Sequence, residues 1–188
     1  MPESRSHRRP VPMSLSRRLM LLALPALAVT ACARSPEATE PPSGAITLDE
    51  VFVGEIRGRG LFVVDLTGAE RRFSARLHGR MEGGRLIVAE DFVYDDGQEG
   101  RLTWVFERAG PNRWTGQRED TVGLAEVVEE GDTIRMDYTA DFETGDGVTR
   151  LAFSDVIYRA PDGKVINEAI VRRWGLPVGR VRFEMTRE

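Results

Sequence analysis

Between Gly60 and Met185 the chain is divided into short segments of alternating polar and apolar residues by connectors of only two or three residues, and this spacing restricts the possible folds more than any other feature. The connectors are Thr67-Gly68, Glu82-Gly83-Gly84, Asp95-Asp96-Gly97, Gly110-Pro111-Asn112, Glu130-Gly131-Asp132, Gly145-Asp146-Gly147 and Pro161-Asp162-Gly163. A parallel crossover needs about a dozen residues or more, so only antiparallel hairpins fit. Asp and Gly recur in the connectors because tight hairpin turns need positive φ at their centre, where glycine meets no steric penalty. The pattern predicts ten strands, near 60–66, 71–81, 85–94, 101–107, 113–118, 122–128, 133–142, 149–158, 165–173 and 179–185. Alternation is clearest in Ile134-Arg135-Met136-Asp137-Tyr138-Thr139-Ala140-Asp141-Phe142, where even positions are apolar or small and odd ones polar. For 165–173 a helix through Val165, Ala169, Ile170 and Trp174 is the alternative. A long meander leaves two edges open unless it closes on itself. The expected fold is therefore all-β, an antiparallel up-and-down lipocalin-like barrel of about eight to ten strands.

The N-terminal region obeys a different pattern. Arg17 and Arg18 precede an uncharged run of eleven residues, from Leu19 to Val29, too short for a membrane span of about twenty. Small residues and Cys32 follow, the layout of an export signal. Val29-Thr30-Ala31-Cys32 resembles the lipobox of bacterial lipoproteins, which implies cleavage before Cys32 and lipidation of that cysteine. An ordinary signal peptide with Cys32 as a bystander is the alternative. Ser16-Arg17-Arg18 also allows twin-arginine export, and Met13 is a second possible start. Ala33 stands where an aspartate would signal inner-membrane retention, so the resemblance implies the periplasmic face of the outer membrane. The expected organisation is a removed signal peptide over 1–31, an acylated cysteine and flexible tether over 32–44, and a barrel over 45–188. The tether reading rests on Ser35-Pro36-Glu37-Ala38-Thr39-Glu40-Pro41-Pro42, which has three prolines and no apolar period.

Residues 1–31 hold five arginines and one glutamate, so the remainder carries 21 basic and 29 acidic residues, a net charge of −8. That balance argues against nucleic acid as a partner. Cys32 is the only cysteine, so packing without disulfides must hold the domain. Beyond residue 31 there is one histidine, His78, in a strand position expected to face solvent. One histidine and no unmodified cysteine argue against a transition-metal site and against Ser-His or Cys-His nucleophile arrangements. The sequence thus points to no catalytic residue, metal or cofactor. Gly58-Arg59-Gly60 lacks the spacing of a phosphate loop and reads as a turn.

Strand parity supplies the candidate site. Glu90 shares a face with Leu86, Val88, Phe92 and Tyr94, and Asp155 shares one with Leu151, Phe153 and Ile157. If these faces point inward, two carboxylates enter the barrel interior, where each must be paired, wetted or shifted in pKa. Phe92, Trp104, Phe106, Tyr138 and Phe153 are expected to line an apolar cavity around them.

The motif Glu90-Asp91-Phe92-Val93-Tyr94-Asp95-Asp96-Gly97, followed by Arg101-Leu102-Thr103-Trp104, resembles the bacterial lipoproteins of the domain of unknown function 3833. The resemblance continues through Trp114, Gly116, Asp120, Gly123-Leu124-Ala125, Asp155, Asn167 and Trp174-Gly175, from about Phe52 to the C-terminus. Ser154-Asp155-Val156 departs from it where the family often has two acids and a tryptophan. The resemblance implies a lipoprotein with a lipocalin-like fold and supplies no reaction. Its motifs also suggest Arg101, Arg173 and Asn167 as partners for the interior carboxylates.

Three functions follow as expectations. The first is binding or carriage of a fatty-acid or lipid-like ligand through Glu90, Phe92, Arg101, Trp104, Phe106, Tyr138, Phe153, Asp155 and Asn167. The second is an interaction lipoprotein with a filled core, its protein partner unknown, that supports an envelope complex. The third is a lipid-modifying enzyme using Glu90 or Asp155.

Overall fold

A computed structural model describes residues 36–144 and 147–188. The lipidation site expected at Cys32 and the signal expected over 1–31 lie outside the described residues. One short helix, α1 (Leu48–Phe52), precedes ten strands: β1 (Gly54–Val64), β2 (Glu70–Glu82), β3 (Arg85–Tyr94), β4 (Glu99–Gly110), β5 (Arg113–Gln117), β6 (Ala125–Glu129), β7 (Thr133–Thr144), β8 (Gly147–Arg159), β9 (Val165–Arg173) and β10 (Leu176–Arg187). Each strand pairs antiparallel with the next, and β1 pairs with β10, closing the barrel. The expected lipocalin-like meander is therefore present with ten strands. Segment 165–173 is a strand, and the helical alternative is corrected: Ile166, Ala169 and Val171 are buried on two sides of the sheet, one packed in the interior and one beneath the N-terminal segment.

Most strands run a few residues beyond or short of the sequence pattern, and two differences matter here. β1 begins at Gly54, and Gly58-Arg59-Gly60 lies within it rather than in a turn. Its glycines face rings: a Cβ at Gly60 would stand 2.0 Å from Phe73 Cζ, and one at Gly58 would stand 2.3 Å from Phe183 Cε2. Glycine in a strand here admits two aromatic rings that stack 5.4 Å apart across the inner wall. Residues 122–124 are not strand, because β6 starts at Ala125.

The two barrel ends are built differently. One end is closed by Ile46, Leu48, Val51 and Phe52, all buried against Leu86, Trp114 and Ile134. Full burial of such side chains contributes roughly 1.5–3 kcal/mol each. Glu129 fixes the plug, since its Oε1 accepts from Leu48 N and from Trp114 Nε1, both at 2.9 Å. At the opposite end, where β1–β2, β3–β4, β5–β6 and β9–β10 are joined, wall residues Phe62, Arg71, Tyr94, Phe142 and Val181 are only partly buried. This end is the mouth.

Residues 36–44, expected as part of a flexible tether, instead lie against the outside of the barrel and belong to its compact unit. Arg135 Nη1 donates to Pro36 O at 2.9 Å, and Ser43 N donates to Arg159 O at 2.8 Å. Beneath this strap sit Val156, Tyr158, Ala160 and Ile166, a second small core on the outer face of β8 and β9, with Ala38 packed on it. The composition of the strap hides this because its order comes from polar contacts to the sheet rather than from apolar residues of its own.

Candidate functional site

The barrel interior is hollow. A cavity of about 410 Å³ runs from the plug toward the mouth, lined by aromatic and aliphatic side chains with a few polar groups. Eight of the residues singled out from sequence line it: Glu90, Phe92, Trp104, Phe106, Tyr138, Phe153, Asp155 and Asn167. Alternation places them there, since even positions of β3, β4 and β7 and odd positions of β8 and β9 point inward. The aromatic wall is continuous: Trp104 stacks on Phe106 at 5.1 Å, meets Tyr138 edge-on at 5.3 Å, and Tyr138 stacks on Phe153 at 4.8 Å.

Arg101 is the exception and is corrected. It lies on the outer surface, where its Nε donates to Asp91 Oδ1 at 2.5 Å. The register pairs Arg101 with Asp91, one position away from Glu90, so both side chains point outward. Each holds the other charged: hydrogen bonding to Arg101 lowers the Asp91 pKa, and Asp91 raises that of Arg101. Arg173, the last residue of β9, is exposed at the mouth end and does not line the cavity; its guanidinium lies 4.3 Å from the ring centre of the exposed Trp174.

A cation that does face the interior is Arg118, one residue past β5, on the same even parity as the buried Trp114 and Gly116. Its Nε and Nη2 donate to the two carboxylate oxygens of Asp120 at 2.6 and 3.1 Å. Its Nη1 stands 3.8 Å from Glu90 Oε2, an ion pair without a hydrogen bond. The guanidinium also lies 4.8 Å from the Trp104 ring centre and 5.3 Å from that of Tyr138. Burial works against its charge, yet Tyr138, Glu90 and Asp120 outweigh burial and raise its pKa.

The interior carboxylates are poorly compensated. Burial pushes Glu90 from its ordinary 4.5 up to about 7, with Arg118 opposing the shift and Asp120, Glu119 and Asp155 adding to it. Burial likewise pushes Asp155 from 3.8 up to about 7, against the hydrogen bond from Asn167 and the charge of Arg118. Asn167 Nδ2 donates to Asp155 Oδ2 at 2.9 Å, so this partner suggested by motif is present. Burial, with Asp155 next, raises the Tyr138 pKa and keeps its phenol neutral.

The outer face offers a larger groove, about 1120 Å³, bordered by Arg57, Arg59, Arg76, Asp91, Arg101 and Lys164. Its charged border suits water better than an apolar molecule. His78 is exposed beside Glu55. Among the described residues, no cluster of three or more His, Cys, Asp or Glu side chains is arranged to hold a metal ion.

Comparison with known proteins fits this architecture. Residues 26–187 match the family described as protein of unknown function (DUF3833). The chain belongs to the DUF3833 family. No curated protein sequence matches it. Among solved structures, this DUF3833 protein is similar to the S-type phycobiliprotein lyase CPES of Guillardia theta, with a TM-score of 0.55 and 11% identity over 76% of this chain and 93% of that one. It is also similar to Rv2717c of M. tuberculosis, with a TM-score of 0.50 and 16% identity over 73% of this chain and 92% of that one. At such identity the likeness is one of fold.

Proposed function

We propose that this DUF3833 protein binds one small amphipathic, lipid-like molecule inside its barrel and holds it at the cell envelope through an acyl anchor on Cys32. The observation that carries the reading is the hollow interior, about 410 Å³, walled by aromatic rings with a few convergent polar groups. That volume and lining are typical of small-molecule sites, where apolar walls supply affinity and a few polar groups fix orientation. The mouth supports entry from a lipid phase. Of the eight large hydrophobic residues exposed among those described, seven stand at that end: Leu66, Val93, Val122, Leu124, Val148, Trp174 and Leu176. Lipid extraction and native mass spectrometry of purified protein are expected to recover a bound amphiphile, or added amphiphiles are expected to raise its melting temperature. Empty protein that no amphiphile stabilises would rule out the carrier reading.

The lipobox resemblance supports anchoring on the periplasmic face of the outer membrane. Cys32→Ser is expected to move the protein from membrane pellets to the soluble periplasmic fraction, and retention in the pellet would refute the anchor.

The raised pKa values of Glu90 and Asp155 favour a second reading, in which a neutral carboxyl donates a proton to the bound molecule. Chemical change in a recovered amphiphile that Asp155→Asn and Glu90→Gln both prevent would establish it.

A further inference from the structure

The polar groups of the cavity are unevenly matched, and the mismatch bears on what the bound molecule carries. Asp155 is 6% exposed, and its Oδ1 has no hydrogen-bond partner among the described residues. Beside it, Asn167 spends its amide N–H on Asp155 Oδ2 and leaves its own Oδ1 equally unpartnered. Two buried acceptors thus stand together in the cavity wall, each at a cost to stability while unsatisfied. Glu90 lines the same cavity, with Arg118 in ion-pair range but not hydrogen-bonded to it.

The cations of the wall are already engaged. Arg118 holds both carboxylate oxygens of Asp120. Arg71, the other cation lining the cavity, lies over Tyr94 at 3.8 Å and gives its Nη2 to Asp96 at 2.9 Å and to Gln98 at 2.5 Å. Arg71 keeps one buried donor, Nε, without a partner at the mouth end, but beside Asp155 and Asn167 the wall has acceptors to spare and no guanidinium free of a carboxylate. A carboxylate or phosphate placed there would face Glu90 and Asp155 and satisfy neither orphaned oxygen. An ammonium could donate to both, and a hydroxyl to one while accepting at the other when Asp155 carries a proton.

From this juxtaposition we infer that the bound amphiphile carries a hydrogen-bond-donating head without negative charge, an amine or an alcohol, seated between Asp155 and Asn167 with its apolar body against the Trp104, Tyr138 and Phe153 rings. The inference rests on the carrier reading and narrows it, turning away the fatty acids that the sequence alone left open. A hydroxyl suits the site when Asp155 is protonated, since it accepts the acid proton and donates to Asn167 Oδ1. An ammonium suits it when Asp155 is ionised.

The test is isothermal titration of the purified chain with dodecylamine, dodecanol and dodecanoate, which share one apolar tail and differ in the head. The amine or the alcohol is expected to bind at least about ten-fold more tightly than the carboxylate, a modest difference for a buried like-charge contact. Asp155→Asn is expected to weaken the amine about ten-fold while leaving the alcohol within about two-fold, because the acceptor persists and the charge does not. Equal binding of all three heads, as expected if water alone satisfies the two oxygens, would overturn the inference. So would tightest binding by dodecanoate, and its loss in Arg71→Gln would then place the head at the mouth. Either result leaves the carrier reading standing; failure of all three ligands to bind removes that reading and this one with it. The ranking in the unaltered protein is decisive even if the variants fold poorly.

Discussion

Two acids on opposite faces of the same sheet are buried alike and treated differently. Glu168 on the outer face of β9 is 8% exposed, and Asp155 on the inner face of β8 is 6% exposed. Glu168 is saturated: Thr39 N and Thr39 Oγ1 donate to it at 2.9 and 2.5 Å, and Arg182 Nη1 does so at 2.5 Å. Arg182 extends the clamp to Glu40 Oε1 at 2.5 Å, pinning the strap. Asp155 has one hydrogen bond, and one of its oxygens has none. A buried acid whose lone pairs are filled by its own chain serves architecture; one left short is, on the carrier reading proposed above, available to a guest. On that reading the two roles lie on the two sides of a single sheet.

The sharpest challenge to that contrast is Arg118→Leu. It removes the partner of Asp120 and, among the described residues, the one guanidinium in ion-pair range of Glu90, and should cost about 3–5 kcal/mol of unfolding free energy in urea titrations. A loss below about 1 kcal/mol would show that the interior acids do not depend on it.

Next is the pH dependence. Glu90 and Asp155 have folded pKa values of about 7, above their ordinary 4.5 and 3.8, with Arg118, Asp120, Glu119, Tyr138, Asn167 and Asp137 as their polar surroundings. As pH rises from about 4, the unfolded chain releases these protons first, while the folded protein keeps them until about 7. Their contribution to stability is therefore fully present below pH 4 and is lost by pH 7. Glu90→Gln and Asp155→Asn should each flatten this decline, gaining on the order of 3 kcal/mol at pH 8 and little at pH 4. Unchanged slopes would contradict the placement of these acids.

On the outer face the sign reverses. Arg182→Ala leaves Glu168 buried beside the strap without its cation and is expected to destabilise by about 2 kcal/mol, since Arg182 is itself partly solvated. Hydrogen exchange should show residues 36–44 losing protection while the inner wall keeps it. At the small end, Arg101→Ala should change neither the unfolding midpoint nor amphiphile affinity, because its pair with Asp91 is exposed. A loss of binding would mean that the outer groove takes part.

Much of this was legible in the sequence. Period two and the Asp-Gly connectors are local properties, so the meander and the inward parity of Glu90 and Asp155 could be read directly. The outward place of Arg101 is legible as well: Leu102, Trp104 and Phe106 define the inward parity of β4, and an odd position must point out. Arg118 was legible in the same way, since it shares the inward parity of Trp114 and Gly116 in the strand expected over 113–118; its charge is what made an interior place unexpected. The strap was hidden because Thr39 and Glu40 are ordered by partners more than a hundred residues away, and α1 because five residues are too few to show a helical period. Gly58 and Gly60 resembled a turn because the rings that require them belong to other strands.

The seam between β1 and β10 has a consequence for how the chain reaches this state. Every other strand pairing joins neighbours in sequence and can form as a hairpin, at low entropic cost. Joining Ile56 to Arg187 brings together the two ends of nearly the whole barrel. Such a contact is the slow kind, so assembly should proceed as a zipper of hairpins whose last act is to stitch the ring shut.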